Sequence, residues 1–379
     1  MANSLKSTGK TPVLARQEQL GKVLSESGYS ALILNPGASL KYMTGLSFHL
    51  MERPVVVFFT PRQPPIIVLP ELEAGKLKDL NYPIKAFPYG ENPASWGNAF
   101  KSAAQAADIN GTRAAIEPRQ LRVLELRYLE TASPKAQFVS GEDCIGALRM
   151  IKHSSEIETM RSAVEIAQEA LKATMPIIKV GVTEREIAAE LTAQLLRAGS
   201  EPEMAFAPIV SGGPNSANPH AVPSARALQE GDLLVIDWGA VYHGYISDIT
   251  RTFAIHKVEN EFQQITQIVA EANAVGRAIA RPGILAGEVD RATRTVITQA
   301  GYGDYFIHRT GHGIGMEGHE EPYIFAENSL SLAPGMTFTI EPGIYLPGRG
   351  GVRIEDNVVI TKDGADCLTD LPRELIQLG

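Results

Sequence analysis

The pattern of apolar segments changes along this chain, and the change limits the folds open to it. In the first third, helical patterns near residues 14–28 and 95–107 alternate with short apolar runs typical of strands, namely ALILNP, PVVVFFTP, PIIVLP and RAAIEP. Beyond residue 205, strand-like segments and glycine turns predominate, with helical patterns near 258–280 and 286–300. We therefore predict an α/β domain followed by a larger α+β domain.

The boundary between these domains is predicted near residue 148. A length of 379 residues exceeds that of a typical single domain, so two domains are expected. We assign residues 12–147 to the N-terminal α/β domain and residues 148–379 to the C-terminal domain. The polar residues 1–11 are interpreted as a flexible tail.

Two helix starts are indicated in the second domain. Ser154 and Ser155 precede an acidic turn and a helical pattern, which favours an N-cap there. Thr183, with Glu186 three residues later, fits a capping box.

Charge and cysteine content exclude several classes of protein. The net charge of -8 is spread without a basic run, which argues against nucleic acid or an anionic membrane as a partner. No apolar window is long enough for a signal peptide or a membrane span, so a cytoplasmic location is expected. Cys144 and Cys367 are far apart in sequence and support neither a disulfide framework nor a thiolate zinc site.

The segment LLVIDWGAVYHGYISDITRTF is typical of two strands joined by a tight turn at Tyr242-His243-Gly244. In a symmetric hairpin Asp237 would lie opposite Asp248. Like charges in that relation are destabilising, and a cation between them removes the repulsion. An alternative is that the register differs and both aspartates only cap turns.

A second hairpin repeats this arrangement. In TIEPGIYLPGRGGVRIEDNVVI, reflection about Gly348 places Glu341 opposite Glu355, with apolar residues on both strands. Buried carboxylates of this kind carry a large desolvation cost unless a metal ion or a base compensates them. Two such pairs favour a metal site.

Between the hairpins, FIHRTGHGIGMEGHEEP holds His308, His312 and His319 among several glycines that permit close approach of the backbone to an ion or substrate. The spacing is not HExxH, so a zinc-binding helix is not indicated. A single histidine is more often a structural residue, and spacing alone does not assign a role here.

Together these residues resemble those of the M24 metallopeptidase family, whose members share the pita-bread fold. The pieces DWGA…SDITR, HRTGHGIG, HE-x-P, IEPGIY and GVRIED occur in the family's order and at similar spacing. The resemblance implies a C-terminal pita-bread catalytic domain and a smaller N-terminal creatinase-like domain. The separate N-terminal domain and HE-x-P are similar to the Xaa-Pro aminopeptidase and prolidase branch.

The resemblance also implies a metal site with two divalent ions per chain. An oxygen-rich ligand set with one imidazole favours Mn²⁺, with Co²⁺ or Zn²⁺ as alternatives. Within it, Asp248 and Glu355 are expected to bridge the ions. The implied ligands are Asp237, Asp248, His312, Glu341 and Glu355.

Further roles follow from the same resemblance. His220 and His319 are expected beside the reacting group of the substrate, and His308 in an outer position. Arg353 is expected to support the site, and Glu341 to carry a proton as well as to bind metal.

The expected reaction is hydrolysis of the amide between an N-terminal residue and a penultimate proline in a short peptide. We expect an Xaa-Pro aminopeptidase, because Tyr323 follows HE-x-P where dipeptide-specific prolidases resemble one another in an arginine. The alternatives are an Xaa-Pro dipeptidase, a hydrolase of a small non-peptide amide, and a catalytically silent interaction module.

A homodimer is expected as well. The segment LSFHLMERPVVVFF places His49, Glu52 and Arg53 just before an apolar strand of the N-terminal domain. In the prolidase-like branch the small domain resembles a lid on the neighbouring subunit's site, so His49 and Arg53 could limit substrate length there. The alternative is an ordinary solvated loop.

Overall fold

The computed structural model describes residues 12–379, which separate into two compact units that divide between Leu148 and Arg149. The predicted tail at residues 1–11 lies outside the described residues. None of the helices in the described part of the chain is long and apolar enough to cross a membrane.

The first unit is an α/β layer, as predicted. Its elements are α1 (Pro12–Ser27), β1 (Ala31–Leu34), α2 (Ala38–Thr44), β2 (Val56–Phe59), β3 (Ile66–Pro70), β4 (Lys85–Tyr89), α3 (Pro93–Ala106), β5 (Arg113–Ile116), α4 (Val123–Ala132) and β6 (Gln137–Ser140), followed by α5 (Glu142–Met150).

The strands of this unit form one mixed sheet in the order β4-β3-β2-β1-β5-β6. The central strands β1 and β2 are buried along their whole length, which explains why their sequences are apolar on both faces. Phe100 of α3 packs against this sheet with Val56 and Phe58 in one apolar core.

The second unit contains four long helices and many short strands. Its helices are α6 (Ser154–Thr174), α7 (Glu184–Ala198), α8 (Asn260–Ile279) and α9 (Ala286–Gln299). Its strands are β7 (Ile209–Gly212), β8 (Leu233–Trp238), β9 (Val241–Tyr242), β10 (Tyr245–Ile246), β11 (Ile249–Ile255), β12 (Gly311–Gly313), β13 (Glu320–Ile324), β14 (Thr337–Ile340), β15 (Gly343–Leu346), β16 (Gly350–Arg353), β17 (Asp356–Ile360), β18 (Ala365–Cys367) and β19 (Ile376–Leu378).

Two sheets dominate this unit, in the orders β19-β11-β8-β7 and β13-β12-β14-β17-β18. Helices α6 and α7 pack on the first sheet in a core that includes Trp238. Helix α8 contributes Phe262 and Ile265 to a second core, which also contains Leu233 of β8 and Val352 of β16. Of the predicted site residues, Asp237, His312 and Arg353 lie on strands, and Asp248, Glu341 and Glu355 directly adjoin strand ends. Strands packed against helices are a rigid support for a site.

The first hairpin has a different register from the predicted one. Its two-residue turn is His243-Gly244, both with positive φ (48° and 79°), so Tyr242 pairs with Tyr245. Asp237 consequently pairs with Thr250 in the β8–β11 ladder. The predicted direct pairing of Asp237 with Asp248 was wrong, because the turn is centred between residues 243 and 244.

The second hairpin has the predicted register. Gly343 pairs with Arg353 in β15–β16, and Ile340 pairs with Asp356 in β14–β17. Glu341 and Glu355 lie between these two pairs, opposite each other.

The helix starts agree with the sequence in one case and differ in the other. Thr183 and Glu186 form the predicted capping box at α7. At α6 the N-cap is His153, and Ser154 is already helical. The Glu156 side chain accepts a hydrogen bond from the His153 backbone N–H, which moves the start one residue earlier than expected.

Candidate metal centre and active site

The site residues predicted in the second domain line one cavity of about 720 Å³. The cavity also contains Arg309, which the sequence analysis did not assign. The predicted residues on its wall are His220, Asp237, Asp248, His308, His312, His319, Glu341, Arg353 and Glu355.

Glycines on both sides of His312 allow its strand to lie close to two others. A Cβ atom at Gly311 would lie 1.9 Å from the carbonyl oxygen of Thr339, and one at Gly313 would lie 2.3 Å from that of Glu321. Any side chain there would force the strands apart. The GHG sequence thus places the His312 imidazole deep in the cavity.

Asp248, His312 and Glu355 each offer a ligand atom, and these atoms lie within 4.8 Å of one another. His312 Nε2 lies 3.6 Å from Asp248 Oδ2 and 3.4 Å from Glu341 Oε1. His312 Nδ1 donates to the carbonyl oxygen of Gly313 at 3.2 Å, which leaves Nε2 as the coordinating atom.

The carboxylates of this group are buried together, and their electrostatics are unfavourable without a cation. Burial and the neighbouring Glu355 raise the pKa of Asp248 well above its usual range. Burial and Glu341 do the same for the pKa of Glu355, and burial raises the pKa of Glu341 to about 8. Burial lowers the pKa of His312 to about 3, so its imidazole is neutral and able to bind metal.

Two carboxylate oxygens indicate that this group of residues can hold a cation. Asp237 Oδ1 and Glu355 Oε1 are buried and have no hydrogen-bond partner among the described residues. An unpaired buried acceptor is costly, and coordination of a divalent ion would satisfy both atoms. Asp237, Asp248, Glu341 and Glu355 with His312 form an oxygen-rich donor set suited to a divalent metal.

Arg353 connects this group to a hydrogen-bonded chain of side chains. It donates to Asp237 Oδ2 at 2.5 Å and to Tyr345 Oη at 3.0 Å. His308 Nδ1 contacts the carbonyl oxygen of Arg309 at 2.8 Å and must carry the proton, so Nε2 accepts from Tyr345 Oη at 2.8 Å. This series of hydrogen bonds from His308 through Tyr345 and Arg353 restrains the rotamer of Asp237.

The protonation states of His308 and Tyr345 agree with these donor and acceptor roles. Burial lowers the pKa of His308 to about 4, so the imidazole is neutral. Burial raises the pKa of Tyr345 to about 12, so its hydroxyl keeps the proton that it donates.

His319 lies between the metal ligands and Arg309. Its ring stacks on that of His312, with 3.8 Å between the centroids. Arg309 Nη2 lies 3.1 Å from His319 Nδ1, and a guanidinium can only donate, so Nδ1 is unprotonated. Burial lowers the pKa of His319, which keeps the ring neutral with its proton on Nε2. His319 is thus a hydrogen-bond donor through Nε2.

Arg309 also packs on the residue that departed from the prolidase pattern. Its guanidinium carbon lies 4.3 Å from the centroid of the Tyr323 ring, a cation–π contact. Sequence reasoning missed Arg309 and Tyr345. Arg309 directly follows His308, and Tyr345 lies two residues after Gly343 in IEPGIY, but neither position alone reveals its contacts.

The remaining predicted residues lie in the first unit. His49 and Arg53 belong to the loop between α2 and β2. Arg53 forms ion pairs with Glu91 at 3.0 Å and Glu52 at 3.3 Å. The residues that line the cavity all belong to the second unit, so the predicted role of His49 and Arg53 stays a prediction.

The fold and the cavity together define a two-domain metallohydrolase. The family model of metallopeptidase family M24 matches residues 158–362, and that of the creatinase/prolidase N-terminal domain matches residues 16–151. The chain belongs to metallopeptidase family M24 and is a metallo-exopeptidase, with the pita-bread fold and creatinase-like N-terminal domain that its sequence predicted.

Proteins similar to this chain over nearly its whole length bear the names of peptidases. The Xaa-Pro dipeptidase of Lactobacillus helveticus is 35% identical over 359 residues, which cover 94% of this chain and 97% of that protein. The crystal structure of the prolidase from Thermococcus sibiricus has a TM-score of 0.91 at 33% identity and covers 98% and 100% of the two chains. That of dipeptidase PepE from Mycobacterium ulcerans has a TM-score of 0.88 at 34% identity and covers 97% and 98%.

Proposed function

We propose that this protein is an Xaa-Pro dipeptidase, in preference to the Xaa-Pro aminopeptidase that the sequence favoured. That expectation depended on Tyr323, which left no evident cation for the carboxylate of a C-terminal proline. Arg309 supplies a cation in the same place, since its guanidinium stacks on Tyr323 and lines the cavity. This observation carries the proposal, and the names of the similar dipeptidases support it.

Arg309 is well suited to bind a substrate carboxylate. The structure gives it a hydrogen bond to His319 and the stack on Tyr323, and a guanidinium has further N–H groups to offer. The stack restricts the side chain, so less conformational entropy is lost when a ligand binds. If the carboxylate of a dipeptide binds Arg309, the scissile amide of that dipeptide would lie near His319, beside the proposed metal ligands.

We propose that Asp237, Asp248, His312, Glu341 and Glu355 would hold two divalent ions, Mn²⁺ in the cell. Such ions supply Lewis-acid polarisation and lower the pKa of water to about 7. The two orphaned oxygens of Asp237 and Glu355 are the structural support for this assignment.

The protein's own groups would perform the remaining tasks. Glu341, which lines the cavity beside the other carboxylates, would take a proton from the attacking water and deliver it to the proline nitrogen. His319 Nε2–H and His220 would donate to the developing oxyanion. Arg353 would hold Asp237 in place through the contact at 2.5 Å.

A comparison of substrates tests the proposal. The metal-loaded protein is assayed with an Xaa-Pro dipeptide, the matching Xaa-Ala dipeptide and an Xaa-Pro-Xaa tripeptide. We expect kcat/KM for Xaa-Pro to exceed that for the tripeptide by about 10-fold or more, the value of a charge-assisted hydrogen bond. Faster hydrolysis of the tripeptide would support the aminopeptidase, and turnover of none of them would refute both.

We also propose that the chain forms a homodimer in which the loop with His49 and Arg53 closes the partner's cavity. Leu50 and Met51 support this proposal because they are apolar and nearly half exposed in that loop (46% and 47%). Light scattering should give twice the chain mass. A fully active monomer, or unchanged peptide-length preference in both His49→Ala and Arg53→Ala, would favour a solvated loop.

A further inference from the structure

Glu184, the first residue of α7, is a buried carboxylate (0% exposed) that binds two separate points of the chain. Its Oε1 accepts hydrogen bonds from the backbone N–H of Gly212 at 2.7 Å and from Asn215 Nδ2 at 3.0 Å. Its Oε2 accepts from the backbone N–H of Ser224 at 2.9 Å and from the Ser224 hydroxyl at 2.6 Å. One side chain therefore joins Gly212 to Ser224.

The part of the chain that Glu184 closes, residues 212–224, carries His220 and is called the His220 segment below. His220 is exposed and lines the cavity. In the middle of the segment, next to His220, Arg353 Nη1 donates to the carbonyl oxygen of Pro219 at 3.3 Å. Glu184 at its ends and Arg353 beside His220 are therefore two of its anchors, and a third is Ser216, whose hydroxyl accepts from the backbone N–H of Gly351 at 2.8 Å.

We propose that Glu184 is a positioning residue that acts through His220. By fixing both ends of the His220 segment, it holds the imidazole at the distance from the metal ligands that the reaction requires. Misplacement of a catalytic group by about 1 Å can lower a rate by about 100-fold. The inference rests on the role proposed for His220 in peptide hydrolysis.

Glu184→Gln changes the hydrogen-bonding capacity of this side chain while keeping its shape. Each oxygen of Glu184 accepts a backbone N–H, one from Gly212 and one from Ser224. Glutamine has the same shape but only one acceptor oxygen, so its amide group would face one of these donors. Glu184→Gln thus leaves one buried N–H without this acceptor and loosens the attachment of one end of the His220 segment.

Thr183→Ala provides the matched control. Thr183 is the N-cap of the same helix, and its hydroxyl interacts with Glu186 and not with the His220 segment. The control weakens the start of α7 while the carboxylate of Glu184 keeps its hydrogen bonds. A merely structural role of the helix start would give both variants the same activity per folded molecule.

The test is a double-mutant cycle with His220→Ala on the metal-loaded protein with an Xaa-Pro dipeptide. We expect Glu184→Gln to lower kcat/KM by about 10- to 100-fold at unchanged metal content, and by less than about 2-fold in the His220→Ala background. Hydrogen exchange at Gly212 or Ser224 should accelerate. Thr183→Ala should keep wild-type kcat/KM.

Two results would overturn the proposal. Equal losses from Glu184→Gln with and without His220 would show that Glu184 does not act through it, and wild-type kcat/KM would show no positioning role. If His220→Ala itself retains full activity, the role of His220 in the proposed function fails and this inference fails with it. If Glu184→Gln does not fold, Ser224→Ala is used in the same cycle, and additive losses would again refute the proposal.

Discussion

Replacement of Arg309 by alanine should separate substrates with a free C-terminal carboxylate from those without one. The guanidinium is half-buried and held against Tyr323 at 4.3 Å, so it is restrained before any substrate binds. A hydrogen bond between two charged groups contributes about 1.5–3 kcal/mol, which corresponds to about 10- to 100-fold in kcat/KM.

Arg309→Ala should also affect His319, and this effect must be separated from the loss of carboxylate binding. Arg309 also donates to His319 Nδ1 and so keeps the His319 proton on Nε2. Its loss should slow every substrate that uses His319. The informative quantity is therefore the ratio of kcat/KM for Xaa-Pro to that for the Xaa-Pro amide, which shares the scissile bond but lacks the carboxylate.

The assay measures both substrates with wild type, Arg309→Ala and Arg309→Lys at saturating metal. We expect Arg309→Ala to lower the ratio by about 10-fold or more, and Arg309→Lys to restore part of it because the charge remains without the planar fork. An unchanged ratio in Arg309→Ala would refute the role of Arg309 as the carboxylate-binding group.

Three further predictions concern other residues. Asp248→Asn and Glu355→Gln should each abolish activity and lower metal occupancy without loss of the fold, and more than about a tenth of wild-type kcat in either would contradict the assigned ligands. His220→Ala and His319→Ala should keep their metal, measured by mass spectrometry, and lose about 100-fold in kcat as oxyanion donors. Glu320 forms buried ion pairs with Lys152, at 2.6 Å from Nζ, and with Arg149. Glu320→Gln should lower the free energy of unfolding by roughly 3 kcal/mol, because these two buried cations lose the carboxylate charge that lies between them. Burial would raise the pKa of Glu320, but Lys152 and Arg149 outweigh it and lower the pKa, so this stabilisation should be full above pH about 4.3 and disappear as pH falls through the lower folded-state pKa. Urea unfolding of both proteins from pH 7 to 3 measures it, and a difference independent of pH would contradict the ion pair.

The second hairpin could be predicted from sequence, and the first only partly. Gly348 lies at the centre of a symmetric run of apolar residues, so reflection about it gave the right partners for Glu341 and Glu355. In the first hairpin the non-glycine residue His243 adopts a positive φ of 48° and forms the turn with Gly244. Two-residue hairpin turns favour glycine in the central pair, so His243-Gly244 is the turn that the sequence itself supports, and the prediction placed the centre one residue too early.

Arg353 was expected to support the site, but the contacts of the supporting residues could not be predicted because they join positions far apart in sequence. Glu184 reaches Ser224 across 40 positions, and Arg353 reaches Asp237 across 116. Local patterns identify strands, turns and caps, but contacts of this kind depend on how the sheets and helices pack. Arg309 was adjacent to a recognised histidine, yet only the structure shows its contact with Tyr323.

The metal content of the purified protein tests the central claim most directly. That claim is that divalent cations compensate the carboxylates of Asp237, Asp248, Glu341 and Glu355 beside His312. After incubation with Mn²⁺ and removal of free metal, inductively coupled plasma mass spectrometry should find about two ions per chain, as expected for a two-metal hydrolase. Fewer than about one ion per chain, with no gain in activity from added Mn²⁺, would contradict the account.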